Sequence, residues 1–173
     1  MAKIKRMGFG QVEPNHLSAQ GNRQIYAQLP ADPAIKVLEN GQFAKYNYAD
    51  NKVDFEGEGE WMLVFNEVKL YGDGKESYKD FALQTKNYTE GIMTPRLFKT
   101  QIGDIYTTNC IEVANTAGTV EVETTADYSI GDELSPNAKG YLAKDGDGSI
   151  VFQIVKIYTM PDGQPAVKLM RIR

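Results

Sequence analysis

Two apolar runs late in the chain, Ile150–Met160 and Ala166–Ile172, are joined by Pro161-Asp162-Gly163-Gln164-Pro165. This arrangement narrows the possible folds more than any other feature. Asp-Gly between two β-rich runs is a hairpin signal, because glycine supplies the positive φ that a tight turn requires. Val, Ile, Phe and Tyr crowd the first run, as suits a pleated, packed strand. Its apolar residues fall on both faces: Phe152 and Ile154 on one, Val151, Val155 and Ile157 on the other. Such a strand is expected between two layers of protein, or between a core and a partner. In the second run Val167 and Leu169 share a face, and Met170 and Ile172 take the other. That phase slip predicts a bulge there. The hairpin is expected as the central wall of a β-barrel or sandwich.

The rest of the chain from Ala34 onward has the same texture. Short β-rich runs alternate with turn clusters. Strands are expected at Ile35–Leu38, Gln42–Tyr48, Asn51–Phe55, Ile105–Ala114 and Thr119–Thr125. Trp61–Tyr71 fits either a helix face or a strand face, and its flanking glycines and β-branched content favour strand. Ser77–Thr85 reads as a short helix with Ser77 as its cap. Met93–Lys99 contains Pro95 and reads as a connection or an edge strand. The expected fold is all-β, a mainly antiparallel β-barrel or sandwich, with at most one or two short helices.

One pattern recurs. Ile102-Gly103-Asp104 opens a segment ending at Asn109, and Ile130-Gly131-Asp132 opens one ending at Asn137. Both obey I-G-D-x-Φ-[ST]-x-N, with Φ apolar. Asn40-Gly41-Gln42-Phe43 is a looser cousin. Glycine permits the positive φ, and the Asp side chain can bond nearby backbone N–H groups. Gly103, Asp104, Gly131 and Asp132 are therefore expected at barrel-corner turns.

Residues 1–33 differ from this β part. They contain Lys3, Lys5 and Arg6, glycines at 8 and 10, and prolines at 14, 30 and 33. They show no sustained period, and Gly21 weakens a possible helix over residues 17–29. Yet Ile4, Met7, Phe9, Val12, Leu17, Ile25, Tyr26 and Leu29 are many apolar residues for a free tail. The division expected is an extended N-terminal arm, 1–33, and a compact β domain, 34–173.

Several kinds of chemistry are not expected. The net charge of −4 argues against a whole-molecule nucleic-acid footprint, which needs a basic face. Cys110 is the single cysteine, so the chain has no intramolecular disulfide and no cysteine-based metal site. It is expected as a small buried side chain. No apolar run reaches the length of a membrane-spanning helix, and the first residues lack the apolar stretch of a secretory signal. His16 is the only histidine, so a Ser–His–Asp or Cys–His arrangement would have to pass through it. Asp145-Gly146-Asp147-Gly148-Ser149 lacks the Gly and Glu positions of a calcium loop and reads as a turn. The acidic stretch Asp50, Asp54, Glu56, Glu58 and Glu60 reads as a solvated loop. Trp61 is expected in the core. No catalysis, metal or cofactor is expected.

A basic, glycine-containing arm followed by a compact β domain with G-D-Φ corners and a long terminal hairpin resembles the capsid decoration (cement) proteins of tailed bacteriophages. The likeness is carried by Lys3-Ile4-Lys5-Arg6, Ile102–Asn109, Ile130–Leu134, Gly140-Tyr141-Leu142 and Ile150–Ile172. It implies a structural virion protein on the outer surface of an icosahedral head, made in the host cytoplasm. Its partners would be the major capsid protein and further copies of itself, a trimer being one arrangement. It implies no direct contact with nucleic acid or membrane. The arm would clamp neighbouring capsomers through Lys3, Ile4, Lys5, Arg6, Phe9, Val12, Leu17, Ile25, Tyr26 and Leu29. The alternatives are another virion component, such as a head fibre base or tail protein, and a carbohydrate- or small-ligand-binding β module.

Overall fold

A computed structural model of the chain describes residues 2–5, 10–66, 83–84, 94–112, 125–161 and 163–173. The fold is all-β, built from antiparallel sheets, one of them curled into a half-barrel, with one short helix among the described residues. In chain order the elements are β1 (Ala2–Lys5), β2 (Val12–His16), α1 (Ser18–Asn22), β3 (Ile25–Tyr26), β4 (Val37–Leu38), β5 (Phe43–Asn47), β6 (Lys52–Asp54) and β7 (Met62–Val64). They continue with β8 (Leu83–Gln84), β9 (Leu97–Phe98), β10 (Ile105–Thr108), β11 (Thr125–Tyr128), β12 (Glu133–Pro136), β13 (Leu142–Ala143), β14 (Phe152–Thr159) and β15 (Pro165–Arg171).

Two sheets carry the core. One has six strands in the order β13-β12-β14-β15-β10-β2, and the other five in the order β3-β9-β7-β5-β6. Two-stranded ladders, β1-β11 and β4-β8, complete the set. The β14–β15 hairpin stands in the middle of the six-stranded sheet. Its turn places Gly163 at φ 85°, and the Gly163 N–H donates to the Met160 carbonyl at 2.8 Å. Phe152, Ile154, Val167 and Leu169 point inward and share one buried cluster with Phe43, Leu63 and Phe98 of the five-stranded sheet. The rings of Phe43 and Phe152 meet at 5.4 Å, and Tyr106 stands edge-on to Phe152 at 5.6 Å. Trp61 belongs to this cluster.

The five-stranded sheet is apolar on both faces. Ala44, Tyr46, Met62, Val64 and Leu97 turn away from the first cluster and form a second with Ala31, Leu38 and Val53. Met62, Leu63 and Val64 are all buried. That is why residues 61–65 show no clean period of two. On the hairpin, by contrast, Val155, Tyr158, Met170 and Ile172 are only half-buried. The bulge lies in β14, not in the second strand as expected. Ile154 pairs with Leu169 and Lys156 with Lys168, which leaves Val155 as the extra residue.

Two further expectations are corrected, and a third falls almost wholly outside the described residues. Met93–Lys99 ends in β9, which lies between β3 and β7 and is not an edge. Pro95 precedes the paired residues, so its missing N–H costs the ladder nothing. The helix expected at Ser77–Thr85 falls mostly outside the described residues, but Leu83–Gln84 is strand, paired with Val37–Leu38. The strand expected at Thr119–Thr125 also lies outside them, except for Thr125 at the start of β11.

Residues 12–26 contribute to both large sheets. β2 pairs with β10, and β3 pairs with β9. Leu17 and Ala19 are buried in the first cluster between these strands. The helix α1 ends at Arg23, which takes a left-handed φ of 63° before the chain turns into β3.

Candidate functional site

Three turns share one construction. Each spans four residues: Glu39–Gln42, Gln101–Asp104 and Ser129–Asp132. The third residue is glycine at positive φ, 93° for Gly41, 92° for Gly103 and 94° for Gly131. The fourth N–H donates to the first carbonyl, at 3.2 Å from Gln42, 2.9 Å from Asp104 and 3.1 Å from Asp132. This is the signature of a type II turn. The fourth side chain closes the ring by accepting the first residue's N–H. Gln42 Oε1 takes Glu39 at 2.9 Å, Asp104 Oδ2 takes Gln101 at 2.9 Å, and Asp132 Oδ2 takes Ser129 at 2.8 Å.

Each turn is then sewn to a neighbouring residue by two backbone bonds. Gly41 donates to Val64, Gly103 to Arg171 and Gly131 to Ile154. The same three residues donate back, to Gln42, Asp104 and Asp132 respectively, at 2.8–2.9 Å. The turns launch β5, β10 and β12 from fixed points on the sheets.

The two aspartates have different surroundings. Asp104 is buried, and its Oδ1 accepts both the N–H of Ser18 at 2.9 Å and the Ser18 hydroxyl at 2.5 Å. It thereby ties the start of α1 to a turn 86 residues away. Asp132 is nearer solvent and pairs with Lys144 Nζ at 2.7 Å. That ammonium, followed by the Ser129 N–H, holds the Asp132 carboxyl below its ordinary range.

Other polar side chains serve turns in the same way. Asp147 accepts Trp61 Nε1 at 2.6 Å and the hydroxyls of Ser149 and Ser135 at 2.7 and 3.2 Å. Burial alone would raise the Asp147 pKa. The bonds from Trp61, Ser149 and Ser135 outweigh it, and the net direction is down. Asp54 Oδ1 accepts the N–H groups of Glu56 and Gly57 at 3.0 and 2.7 Å. Within the acidic stretch, Lys52 Nζ lies 2.7 Å from Asp32, 3.4 Å from Asp50 and 3.6 Å from Asp54. Glu60 pairs with Lys99 and Arg171. Among the described residues no group of three or more His, Cys, Asp or Glu side chains is arranged to hold a metal ion.

The surface carries a different signal. Ile102 and Ile130 are 73% and 66% exposed, and Tyr48 is 66% exposed. Both isoleucines occupy the second position of their turns. The equivalent residue of the third turn, Asn40, is buried, and its side chain is bonded to the backbone of Asn66.

Five of the residues expected to contact a partner pack against the chain itself. Leu17 is buried, and Val12 and Ile25 lie against the first cluster. Tyr26 and Leu29 lie against the second. Lys3, Ile4 and Lys5 are on β1, whose backbone pairs with Thr125–Tyr128. Arg6 and Phe9 lie outside the described residues. His16 ends β2, opposite Ile105. Cys110 is buried, its thiol 3.9 Å from Glu39 Oε2.

Ile102 and Ile130 belong to the repeat, but the turn chemistry that explains its Gly and Asp does not call for them. The available signal was a β-branched apolar residue at the tip of the same glycine turn, twice. Comparison with protein-family models, curated proteins and solved structures finds no match.

Proposed function

We propose that this chain is a structural virion protein that binds the outer surface of an icosahedral phage head and stabilises it by linking neighbouring capsomers. One observation carries the reading beyond the sequence resemblance. Polar side chains, buried at Gln42 and Asp104 and partly buried at Asp132, hold turns together, while large apolar side chains stand exposed on separate turn tips. Such a surface suits several small contacts with a broad partner, and linking small contacts through one chain raises avidity. Val12, Leu17, Ile25, Tyr26 and Leu29 pack on the chain's own clusters, so the shell contact is assigned to the basic residues ahead of Gly10, with the backbone of Lys3 and Lys5 held on β1 beside β11. The basic residues Lys3, Lys5 and Arg6 would meet acidic shell surface, so binding would weaken with salt.

The test is co-sedimentation of purified protein with heads that lack it, across a salt series. The wild-type chain is expected to bind. The triple variant Lys3→Glu, Lys5→Glu, Arg6→Glu is expected to bind at least tenfold more weakly at low salt. Unchanged binding of the variant would remove the basic stretch from the contact. Failure of the wild-type chain to bind would end the head-surface reading.

A second reading, a carbohydrate-binding β module, is favoured by Tyr48, whose exposed ring lies 5.4 Å from that of Tyr46. Retention on a polysaccharide column that is lost in Tyr48→Ala would select it.

A further inference from the structure

The two isoleucine turns are related by symmetry. Glu133 pairs with Gln153, Gln153 with Met170, and Met170 with Ile105, so the four stand on one row of the six-stranded sheet. A half-turn about an axis through the sheet between Gln153 and Met170 exchanges Glu133 with Ile105. It also exchanges Ile154 with Arg171, because Phe152 faces Arg171 and Ile154 faces Leu169. Those are the residues that anchor the two turns. Gly131 donates to Ile154 at 2.8 Å and Gly103 to Arg171 at 2.8 Å, and the return bonds are both 2.9 Å. The repeat in the sequence is thus an approximate two-fold axis in the sheet. An axis normal to a sheet puts the two tips at opposite ends of the strands and displaces both toward the same face. Three strand spacings and about six residue rises place the tips on the order of 20 Å apart.

Neither isoleucine is needed by its turn. Glycine supplies the backbone and Asp the closing bond, and the third turn has the same hydrogen bonds with Asn at that position. Nor is one enough for a stable contact. Burying a single isoleucine is worth roughly 10- to 100-fold in affinity. Useful affinity follows when both are buried at once through one rigid sheet. Two like side chains in a two-fold arrangement fit two like pockets in a two-fold arrangement.

We infer that Ile102 and Ile130 form a bivalent contact that spans two identical partner subunits, each offering one apolar pocket across a local two-fold. This rests on the reading above, in which the partner is a shell of repeated subunits, and it names where on that shell the protein sits.

The test uses heads that lack the protein, with wild type, Ile102→Ser, Ile130→Ser and the double variant compared by co-sedimentation. Circular dichroism and thermal melting verify folding. Each single variant is expected to lose roughly 10- to 100-fold in apparent affinity, the two losses agreeing within a few-fold, and the double variant is expected to lose more. Wild-type binding with one or both isoleucines silent would overturn the bivalent contact while leaving the head reading in place. No wild-type binding would overturn both. Sedimentation velocity covers the remaining occupant: a wild-type oligomer that the serine variants dissolve would assign the tips to a second copy of this chain and overturn the inference.

Discussion

The turn at Glu39–Gln42 and the turns at Gln101–Asp104 and Ser129–Asp132 share one backbone and meet opposite surroundings. Gly41 is enclosed: a Cβ built there would lie 2.6 Å from Cys110 Cβ and 2.7 Å from Thr108 Oγ1. At Gly103 and Gly131 a Cβ would meet nothing within 4 Å. Asn40 is buried, and Ile102 and Ile130 face solvent. One turn is a joint in the core, with all four of its residues buried. The other two hold strands at their base and leave their tips free. The same local chemistry serves packing in one place and presentation in the others.

The largest effect should come from Gly41→Ala. Left-handed strain and overpacking add there, for a loss of about 3 kcal/mol or more in urea unfolding. Asp104→Ala comes next. It leaves the part-buried N–H of Ser18 without its acceptor and removes the bond to Gln101, at about 2–3 kcal/mol. Gly103→Ala and Gly131→Ala should each cost about 1 kcal/mol, because only the positive φ is opposed. If Gly41→Ala matched these two, the contrast between core joint and surface turn would fail.

Asp132 supplies a smaller, pH-dependent effect. Its folded-state pKa is depressed, first by Lys144 and then by Ser129. The stability it contributes is therefore present above its unfolded value, about 3.9, and is lost as pH falls through the lower folded value. Asp132→Asn should flatten the stability profile on that acid side, measured by urea unfolding from pH 2 to 6. Smallest of all, Ile102→Ser and Ile130→Ser should change stability by no more than about 0.5 kcal/mol, since both side chains are already in water.

The glycine-centred turns and the terminal hairpin could be read in the sequence because their physics is local. A positive φ, an Asp three residues from the N–H it accepts, and two long β-rich runs all lie within short windows. Trp61 and Cys110 could be assigned to the interior by type. The pairing of Ile25–Tyr26 with Leu97–Phe98 could not be read, because a strand of two residues has no period. Stretch 12–26 looked like part of an arm for the same reason: its partners, Ile105–Thr108 and Leu97–Phe98, are more than seventy residues away. A bulge shifts the phase of the strand that bears it: Phe152, Ile154 and then Ile157 face the first cluster from β14, whereas Met170 and Ile172 are apolar residues half-buried on the other face of a β15 that does not slip. The two-fold between the isoleucine turns follows from strand order, which the repeat alone does not specify.

The most direct test of the account is a copy number. Particles purified on a density gradient, from a lysate that makes this protein, can be measured by quantitative mass spectrometry against the major shell protein. The account predicts hundreds of copies per particle, in a fixed ratio to the shell subunits. Absence from purified particles would contradict it.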